Sequence, residues 1–200
     1  MSIHNAKALK QIFHLAPLNN MPSIIKIGLM PRKLLLQYGL SFVDIADHNI
    51  IDKRANNYLD EYVPFHFHPY SSFDYAVKIN NPDKQFAYIC LKRDFARYSG
   101  FKVIPSHPLS GESPELYDYD EGFNLIDWET VESCNFNSHL SKQIKMAECL
   151  SPKTIPASLF QNVYVKDDNT RLYIQSLFIQ NGIEDQPPYV NVMPEWFLLR

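Results

Sequence analysis

One acidic residue inside an apolar run is the first feature of this sequence that suggests chemistry. Glu148 lies in the run Met-Ala-Glu-Cys-Leu at positions 146–150. A carboxylate in such surroundings must be paired, neutralised or used in a reaction, because burying an unpartnered charge is costly. A functional role and an ordinary exposed helix face are both compatible with the residues alone.

Two histidines, His66 and His68, are separated by one residue. On a strand this spacing places both rings on one face, where they could hold a metal ion. No third ligand of suitable spacing is nearby, so we predict surface or hydrogen-bonded histidines and no metal. His107 and His139 lie in polar surroundings and are predicted to be solvated. The chain contains no phosphate-binding loop, no GxSxG elbow, no HExxH and no CxxC pair.

The composition indicates an ordinary globular chain. Its 200 residues are 46% hydrophobic and 20% charged, which predicts a single domain over residues 1–200. The formal net charge of −3 argues against coating of duplex DNA by bulk electrostatics, since counterion release requires clustered Lys and Arg. A local basic groove stays compatible with this charge.

The cysteines and the apolar segments bear on location. Cys90, Cys134 and Cys149 form an odd set without a CxxC pair, which is typical of free thiols in a reducing compartment. The first residues lack the features of an export signal, and no stretch is long and apolar enough to span a bilayer. We therefore expect a cytoplasmic protein without a membrane partner.

Hydrophobic periodicity predicts alternating strands and helices. Strands are expected at 11–15, 62–67, 86–91 and 160–165, and helices at 21–29, 73–77, 141–150 and 170–181. Asn20 is a candidate cap for the helix that begins beside it. Residues 34–57 are predicted to form a loop and a short helix. Residues 105–127, rich in Pro, Ser, Gly, Asp and Glu, are predicted to form a long exposed loop that faces the substrate.

Several short motifs occur in an order that resembles one known family. They are His14, Asn20-Met21-Pro22-Ser23-Ile24, Gly28-Leu29, Arg54, the segment 60–72 with Tyr62-Val63-Pro64-Phe65-His66-Phe67, Ile126-Asp127-Trp128, and the basic segment 142–145 leading into Ala147-Glu148-Cys149-Leu150. No piece is diagnostic by itself, but the ordered set over most of residues 12–165 is similar to the DarT family, bacterial toxins that ADP-ribosylate bases in single-stranded DNA.

The resemblance implies a fold and a reaction. The expected fold is α+β, with a split mixed β-sheet around an NAD cleft and peripheral helices. The expected enzyme is an NAD-dependent ADP-ribosyltransferase that modifies thymine or guanine in single-stranded DNA. The implied partner is a macrodomain antitoxin that removes the modification.

The resemblance also implies roles for individual residues. Glu148 would stabilise the positive charge at C1′ of the ribose as nicotinamide leaves, and Arg54 would pair with the pyrophosphate or stabilise the reacting centre. The remaining NAD contacts would come from His14, Asn20, Ser23 and Ser71. DNA contacts would come from Lys142, Lys145, Tyr70 and His107. The acceptor's proton would go to Glu148 or to a neighbour.

The sequence departs from the family pattern at a few positions. His66 and Tyr70 stand where relatives often have Tyr and Arg, and Lys142 and Lys145 stand where relatives are often rich in Arg. Lysine keeps the positive charge but loses the bidentate geometry that arginine offers to phosphate. These positions concern the choice of base and part of the NAD pocket. A catalytically inactive relative that binds nucleotide or nucleic acid, and a transferase that acts on RNA or protein, are the alternative functions.

Overall fold

The computed structural model describes residues 5–111, 113–133 and 138–198. Its strands are β1 Gln11–Pro17, β2 Val63–His66, β3 Phe86–Lys92, β4 Lys102–Ile104, β5 Tyr117–Asp118, β6 Glu148–Ser151, β7 Asn162–Val165 and β8 Tyr189–Val192. Its α-helices are α1 Met21–Ile27, α2 Arg32–Gln37, α3 His48–Asn56, α4 Ser72–Asn80, α5 Arg93–Tyr98, α6 Tyr119–Leu125, α7 Trp128–Glu132, α8 His139–Ile144 and α9 Asp168–Gln180. Within these residues no helix combines the length and apolar character that crossing a bilayer requires.

The described strands form one mixed sheet in the order β5-β4-β6-β2-β1-β3-β7-β8. All neighbours are antiparallel except β7 and β8, which run parallel. Strands β3 and β6 are buried along almost their whole length, as expected for central strands covered on both faces. Helices and irregular segments surround this sheet, so the predicted α+β class is confirmed.

The sheet is split between β1 and β2. Strand β1 pairs with β3 along its full length, whereas β1 and β2 share the single residue pair Phe13 and His66. Beyond that pair, the ring of His14 bridges to the backbone of Pro64. A cavity opens at this division, with residues of both strands in its wall. The cavity therefore lies where the pairing between β1 and β2 is interrupted.

The predicted helix 141–150 is wrong in its second half. Helix α8 ends at Ile144, and Glu148 begins β6 between β4 and β2. All four residues of β6 are buried. A short apolar run covered on both sides has neither helical nor alternating periodicity, so the sequence pattern cannot distinguish a buried strand from a buried helix.

The predicted exposed loop 105–127 is also wrong in its second part. Strand β5 and helix α6 lie inside it, and among the described residues 105–111, 113–116 and 126–127 are irregular. Gly122 explains the close fit of α6 against the sheet, because a Cβ there would lie 2.6 Å from the Cβ of Val103. Packing of a glycine face against β4 leaves no periodic apolar signal in the sequence.

The other predicted elements are found with small shifts of their ends. Helix α9 begins at the cap Asp167, whose carboxylate accepts the amide N–H of Thr170. Asn20 precedes α1, but its side chain does not cap that helix. It bonds instead to a segment that follows α2, described below.

Candidate active site

A cavity of about 250 Å³ lies at the split between β1 and β2. This is slightly below the usual range for small-ligand pockets, about 300–1,000 Å³. Its wall combines apolar side chains with a few polar and charged groups. The polar and charged lining residues are His14, Asn20, Ser23, Arg32, Asp44, Arg54, Asp60, Tyr62, His66, His107 and Glu148.

Glu148 and Arg54 form an ion pair inside this cavity. The Nη1 of Arg54 donates to both carboxylate oxygens of Glu148, at 2.9 and 3.1 Å. The side chain of Glu148 is only 8% exposed and that of Arg54 17%, so water screens the pair weakly. The Nη2 of Arg54 is buried and has no hydrogen-bond partner among the described residues. The pair therefore fixes a carboxylate in the cavity and leaves a guanidinium nitrogen for an anion.

Two elements distant in the sequence, β6 and α3, hold these two residues. Glu148 is the first residue of β6 and lies in register with His66 of β2 and Ile104 of β4. Arg54 lies in the last turn of α3. A carboxylate on a central strand has little freedom, which suits a group that must face one reacting atom.

His14 presents one ring nitrogen to the cavity. Its Nδ1 lies 2.8 Å from the carbonyl oxygen of Pro64, and a carbonyl can only accept, so Nδ1 carries the proton. Burial lowers the pKa of His14 below its ordinary value, although the bond to Pro64 raises it. The ring is therefore neutral at neutral pH, with the lone pair on Nε2.

The amide of Asn20 is bound to the backbone of Val43. Its Nδ2 donates to the Val43 carbonyl at 2.9 Å, and its Oδ1 accepts the Val43 amide N–H at 2.7 Å. This two-way contact fastens residues 38–47, which follow α2 without regular structure, beside the cavity. Asn20 thus lines the predicted pocket and also shapes it.

His107 is half-buried at the cavity, where a solvated side chain was predicted. Its Nδ1 accepts the amide N–H of Leu109 at 3.1 Å, so the neutral ring carries its proton on Nε2. Burial lowers the pKa of His107, while the nearby Glu148 acts in the opposite direction. The structure brings His107, which the resemblance predicted as a DNA contact, beside the ion pair.

The other residues predicted to contact NAD are separated by the fold. Ser23 is exposed and lines the cavity. Ser71 is fully buried and caps α4, where its hydroxyl accepts the amide N–H of Asp74. Ser71 is not among the lining residues.

The residues predicted to contact DNA also fall into different places. Lys142 is exposed on α8. Lys145 is 3% exposed, and its ammonium donates to the carbonyl oxygens of Val131 and Ser133 at 2.8 and 2.6 Å. Tyr70 has a left-handed backbone, with φ of 64°, and its ring packs edge-on against Trp196, away from the cavity lining. The structure therefore brings His107, and not Lys145 or Tyr70, to the cavity.

His66 and His68 bind the backbone that leads into β6. The Nδ1 of His66 lies 3.3 Å from the carbonyl oxygen of Ala147, and the Nε2 of His68 lies 3.0 Å from that of Lys145. Among the described residues there is no group of three or more His, Cys, Asp and Glu side chains that could hold a metal ion. These two histidines thus support the segment before Glu148.

Sequence reasoning missed Arg32, Asp44 and Phe42 in the cavity wall. Arg32 is the first residue of α2. A cation at a helix N-terminus opposes the helix dipole, so its presence there was a weak signal of another role. Asp44 and Phe42 lie in an irregular segment, where periodicity gives no information.

A profile of the family described as "ssDNA thymidine ADP-ribosyltransferase, DarT" matches residues 13–198. The chain belongs to the DarT family. A DNA ADP-ribosyl transferase of Thermus aquaticus is 23% identical over 198 residues, which cover 93% of this chain and 88% of that protein. The match confirms the family and the enzyme class that the ordered motifs indicated.

Solved DarT structures share the fold. Thermus sp. 2.9 DarT in complex with ADP-ribosylated ssDNA superimposes with a TM-score of 0.78 at 18% identity, covering 94% of this chain and 96% of that one. The same protein in complex with NAD+ gives 0.75 at 17% identity, with 94% and 98% covered. Thermosipho africanus DarTG in complex with ADP-ribose gives 0.75 at 18% identity, with 94% of this chain but 51% of that one. The predicted NAD co-substrate agrees with these complexes.

Proposed function

We propose that this chain transfers ADP-ribose from NAD to a thymidine base in single-stranded DNA, with Glu148 acting at the ribose carbon. The observation that carries the proposal is the buried carboxylate of Glu148, held in the cavity by Arg54 at 2.9 and 3.1 Å. Membership of the DarT family and the DNA and NAD+ complexes of Thermus sp. 2.9 DarT support the choice of both substrates.

The cavity suits the nicotinamide-ribose end of NAD. His14, Asn20 and Ser23 line one part of it, and the free Nη2 of Arg54 offers a donor to an anionic or hydroxyl oxygen. The enclosed volume of about 250 Å³ is small for a dinucleotide, so the adenosine end would extend through the opening. NAD supplies the reactive ribose carbon, and the protein supplies its orientation and electrostatic partner.

In the reaction, the bond between the ribose C1′ and the nicotinamide nitrogen breaks. The leaving nicotinamide takes the bonding electron pair and becomes neutral, while positive charge develops at C1′. The anionic Glu148 stabilises that charge, as carboxylates do for oxocarbenium-like states in glycosidases. The only ring N–H of a thymidine base is at N3, so N3 forms the new bond and releases one proton.

As candidate acceptors of that proton among the lining groups we take the carboxylate of Glu148 and the Nε2 lone pair of His14. The pH dependence of transfer by His14→Gln separates them. Loss of the acidic limb of the profile identifies His14 as the acceptor, and an unchanged limb excludes His14.

The cavity favours a single strand as acceptor, because a base inside a duplex would first have to leave the stack to reach it. We assign His107, whose ring lies at the cavity, and the exposed Lys142 to contacts with this strand. With a net charge of −3, the chain depends on such local contacts more than on its overall field.

We further propose that the chain acts as a toxin in the cytoplasm and is paired with a macrodomain antitoxin. The similarity to half of the Thermosipho africanus DarTG chain supports a second, antitoxin-type component. An enzyme that modifies DNA must share a compartment with it, and the free, buried Cys90 and Cys149 suit a reducing one.

The test is an acceptor panel with labelled NAD. Purified chain is incubated with single-stranded DNA, duplex DNA, RNA and protein, and then with oligonucleotides whose only reactive base is thymidine, guanosine or N3-methylthymidine. We expect label on single-stranded DNA with thymidine, none with N3-methylthymidine, and loss in Glu148→Ala. Label on guanosine, RNA or protein would contradict thymidine in single-stranded DNA as the acceptor. NAD binding without any label would indicate an inactive relative.

A further inference from the structure

The 38–47 segment forms one wall of the cavity; backbone hydrogen bonds join its two ends to α2 and α3, and Ile45 packs against a core cluster. Its residues 42–46 all line the cavity. Two side chains from outside the segment fasten it: Asn20 through the backbone of Val43, and Arg32 through the carboxylate of Asp44. The first contact is between neutral groups, whereas the second is an ion pair that a competing charge could exchange.

Arg32 has unused capacity for an anion. Its Nη2 donates to the Oδ2 of Asp44, and its guanidinium carbon lies 5.2 Å from the ring centroid of Phe42. Its Nε is buried and has no hydrogen-bond partner among the described residues. A guanidinium that stacks on a ring and keeps one donor free can bind a phosphate oxygen, and release of Asp44 would give it the second donor that bidentate binding of a phosphate requires.

Arg32 is the second of two cations among the described residues of the cavity wall and the one that does not pair with Glu148. Of the lining residues that the structure describes, Arg32 and Arg54 alone carry a lysine or arginine charge. Arg54 already holds Glu148, the carboxylate assigned to the ribose carbon. The pyrophosphate of NAD is a dianion, and Arg32 is the cation among these lining residues that is not paired with Glu148.

The carboxylate of Asp44 already occupies Arg32. Its Oδ2 receives Arg32, and its Oδ1 accepts the amide N–H of Ala46 at 3.1 Å. Burial raises the pKa of Asp44, but the bonds from Arg32 and Ala46 outweigh burial and keep the pKa below its ordinary value. Its side chain is 34% exposed, so the pair with Arg32 is partly screened and exchangeable.

We propose that Arg32 binds the pyrophosphate of NAD and that Asp44 competes with the pyrophosphate for this guanidinium. The inference rests on the proposed use of NAD. It gives the two arginines separate tasks, with Arg54 at the reacting centre and Arg32 at the pyrophosphate. It also makes Asp44 a residue that weakens substrate binding while it holds the 38–47 segment in place.

Calorimetric measurement of NAD binding to the full chain, without DNA, tests both the role of Arg32 and the competition by Asp44. Arg32→Gln should weaken NAD binding about tenfold or more, since a charge-assisted contact is lost, and Arg32→Lys should recover part of the loss. Asp44→Asn should tighten binding about two- to fivefold, the range expected for a partly exposed ion pair. In the double variant, Asp44→Asn should have no further effect.

Matched controls use neighbouring charges that do not line the cavity. Lys33→Gln removes a cation next to Arg32, and Asp52→Asn removes an exposed carboxylate on α3. Neither should change NAD affinity by as much as twofold. ADP-ribose, which has the same pyrophosphate, should show the Arg32→Gln loss, whereas nicotinamide alone should not. Thermal melting of each variant identifies effects that come from unfolding.

Two results would overturn the inference. Weaker binding by Asp44→Asn would contradict the competition, because Asp44 would then favour NAD binding, either by direct contact or by holding the 38–47 segment. An Arg32→Gln loss no larger than that of Lys33→Gln would remove Arg32 from the pyrophosphate site. Failure of the unaltered chain to bind NAD at all is a different outcome, because it contradicts the proposed function itself.

Discussion

A single guanidinium nitrogen of Arg54 serves both carboxylate oxygens of Glu148, at 2.9 and 3.1 Å, and leaves the second terminal nitrogen of Arg54 unbonded among the described residues. The arginine therefore orients the acid without using its full donor capacity. This relationship separates two tasks, support of Glu148 and contact with substrate, that different substitutions can test.

Glu148→Gln keeps the shape of the side chain but removes its charge. Because the proposed role is stabilisation of positive charge in the transition state, we expect transfer to fall about 10²- to 10³-fold while NAD affinity changes much less. Single-turnover transfer to single-stranded DNA measures the first quantity and calorimetry the second. The exposed Glu129→Gln is the control, and a loss below about tenfold in Glu148→Gln would exclude the charge-stabilising role.

Two substitutions of Arg54 should differ in stability. Arg54→Ala leaves Glu148 buried without its cation, which we expect to cost about 3 kcal/mol of unfolding free energy, whereas Arg54→Lys retains the charge and costs less. Both variants should transfer ADP-ribose more slowly. Alanine offers no donor to the substrate, and lysine has one nitrogen in place of the arginine fork. Denaturant titration measures the stability, and equal stability of the two variants would mean that the pair contributes little to it.

The sequence identified Glu148 but not the element that carries it. An acid among apolar residues, together with the ordered motifs, was sufficient to single it out. The choice between helix and strand depended on burial from both sides by β4 and β2, which come from distant parts of the chain. Periodicity over a few residues does not contain that information.

Contacts of side chains over long sequence separations explain the other differences. Asn20 was predicted as a candidate cap of α1, but its side chain bonds to Val43, 23 residues away, and does not cap the helix. Lys145 was predicted to face DNA, but it turns inward to carbonyl oxygens just after α8 ends. A lysine in a sequence is usually exposed, and only the fold shows when backbone carbonyls replace its water.

Asn20→Ala tests the attachment of the 38–47 segment. Loss of two hydrogen bonds and an unpaired Val43 amide should loosen this segment, so we expect a KM for NAD raised about tenfold and faster proteolysis between residues 38 and 47. Asn19→Ala, at the exposed neighbouring position, is the control. A raised KM without faster proteolysis would indicate that Asn20 contacts NAD and does not act through the segment.

Gly28→Ala tests the turn that ends α1 beside the cavity. Gly28 has φ of 92°, and a Cβ there would lie 2.8 Å from Thr154 Cγ2 and 3.0 Å from the carbonyl oxygen of Ile155. Strained backbone and this contact should together destabilise the chain by about 1–3 kcal/mol. Gly39→Ala, also at positive φ but with open space around it, is the control for backbone strain alone. Equal losses in the two variants would show that the contact with Thr154 and Ile155 has no cost.

His68 should make the protein sensitive to acid. The side chain is 2% exposed, and burial lowers its pKa from 6.5 to about 4, although the carbonyl groups of Pro69 and Lys145 raise it. Because the folded-state pKa lies below the value of the free side chain, the unfolded chain binds a proton more readily. The stability from neutral His68 is therefore complete above pH 6.5 and is lost as the pH falls toward about 4, by up to about 3 kcal/mol.

Denaturant titrations between pH 7.5 and about pH 4 measure this loss. His68→Gln keeps a donor for the Lys145 carbonyl but cannot take up a proton, so its stability should decline less over this interval than that of the unaltered chain. His48→Gln, at an exposed position on α3, should follow the unaltered chain. If His68→Gln declines with the same slope, other groups cause the acid sensitivity. Because His68 supports the segment that leads to Glu148, transfer activity should fall over the same pH interval as the stability does.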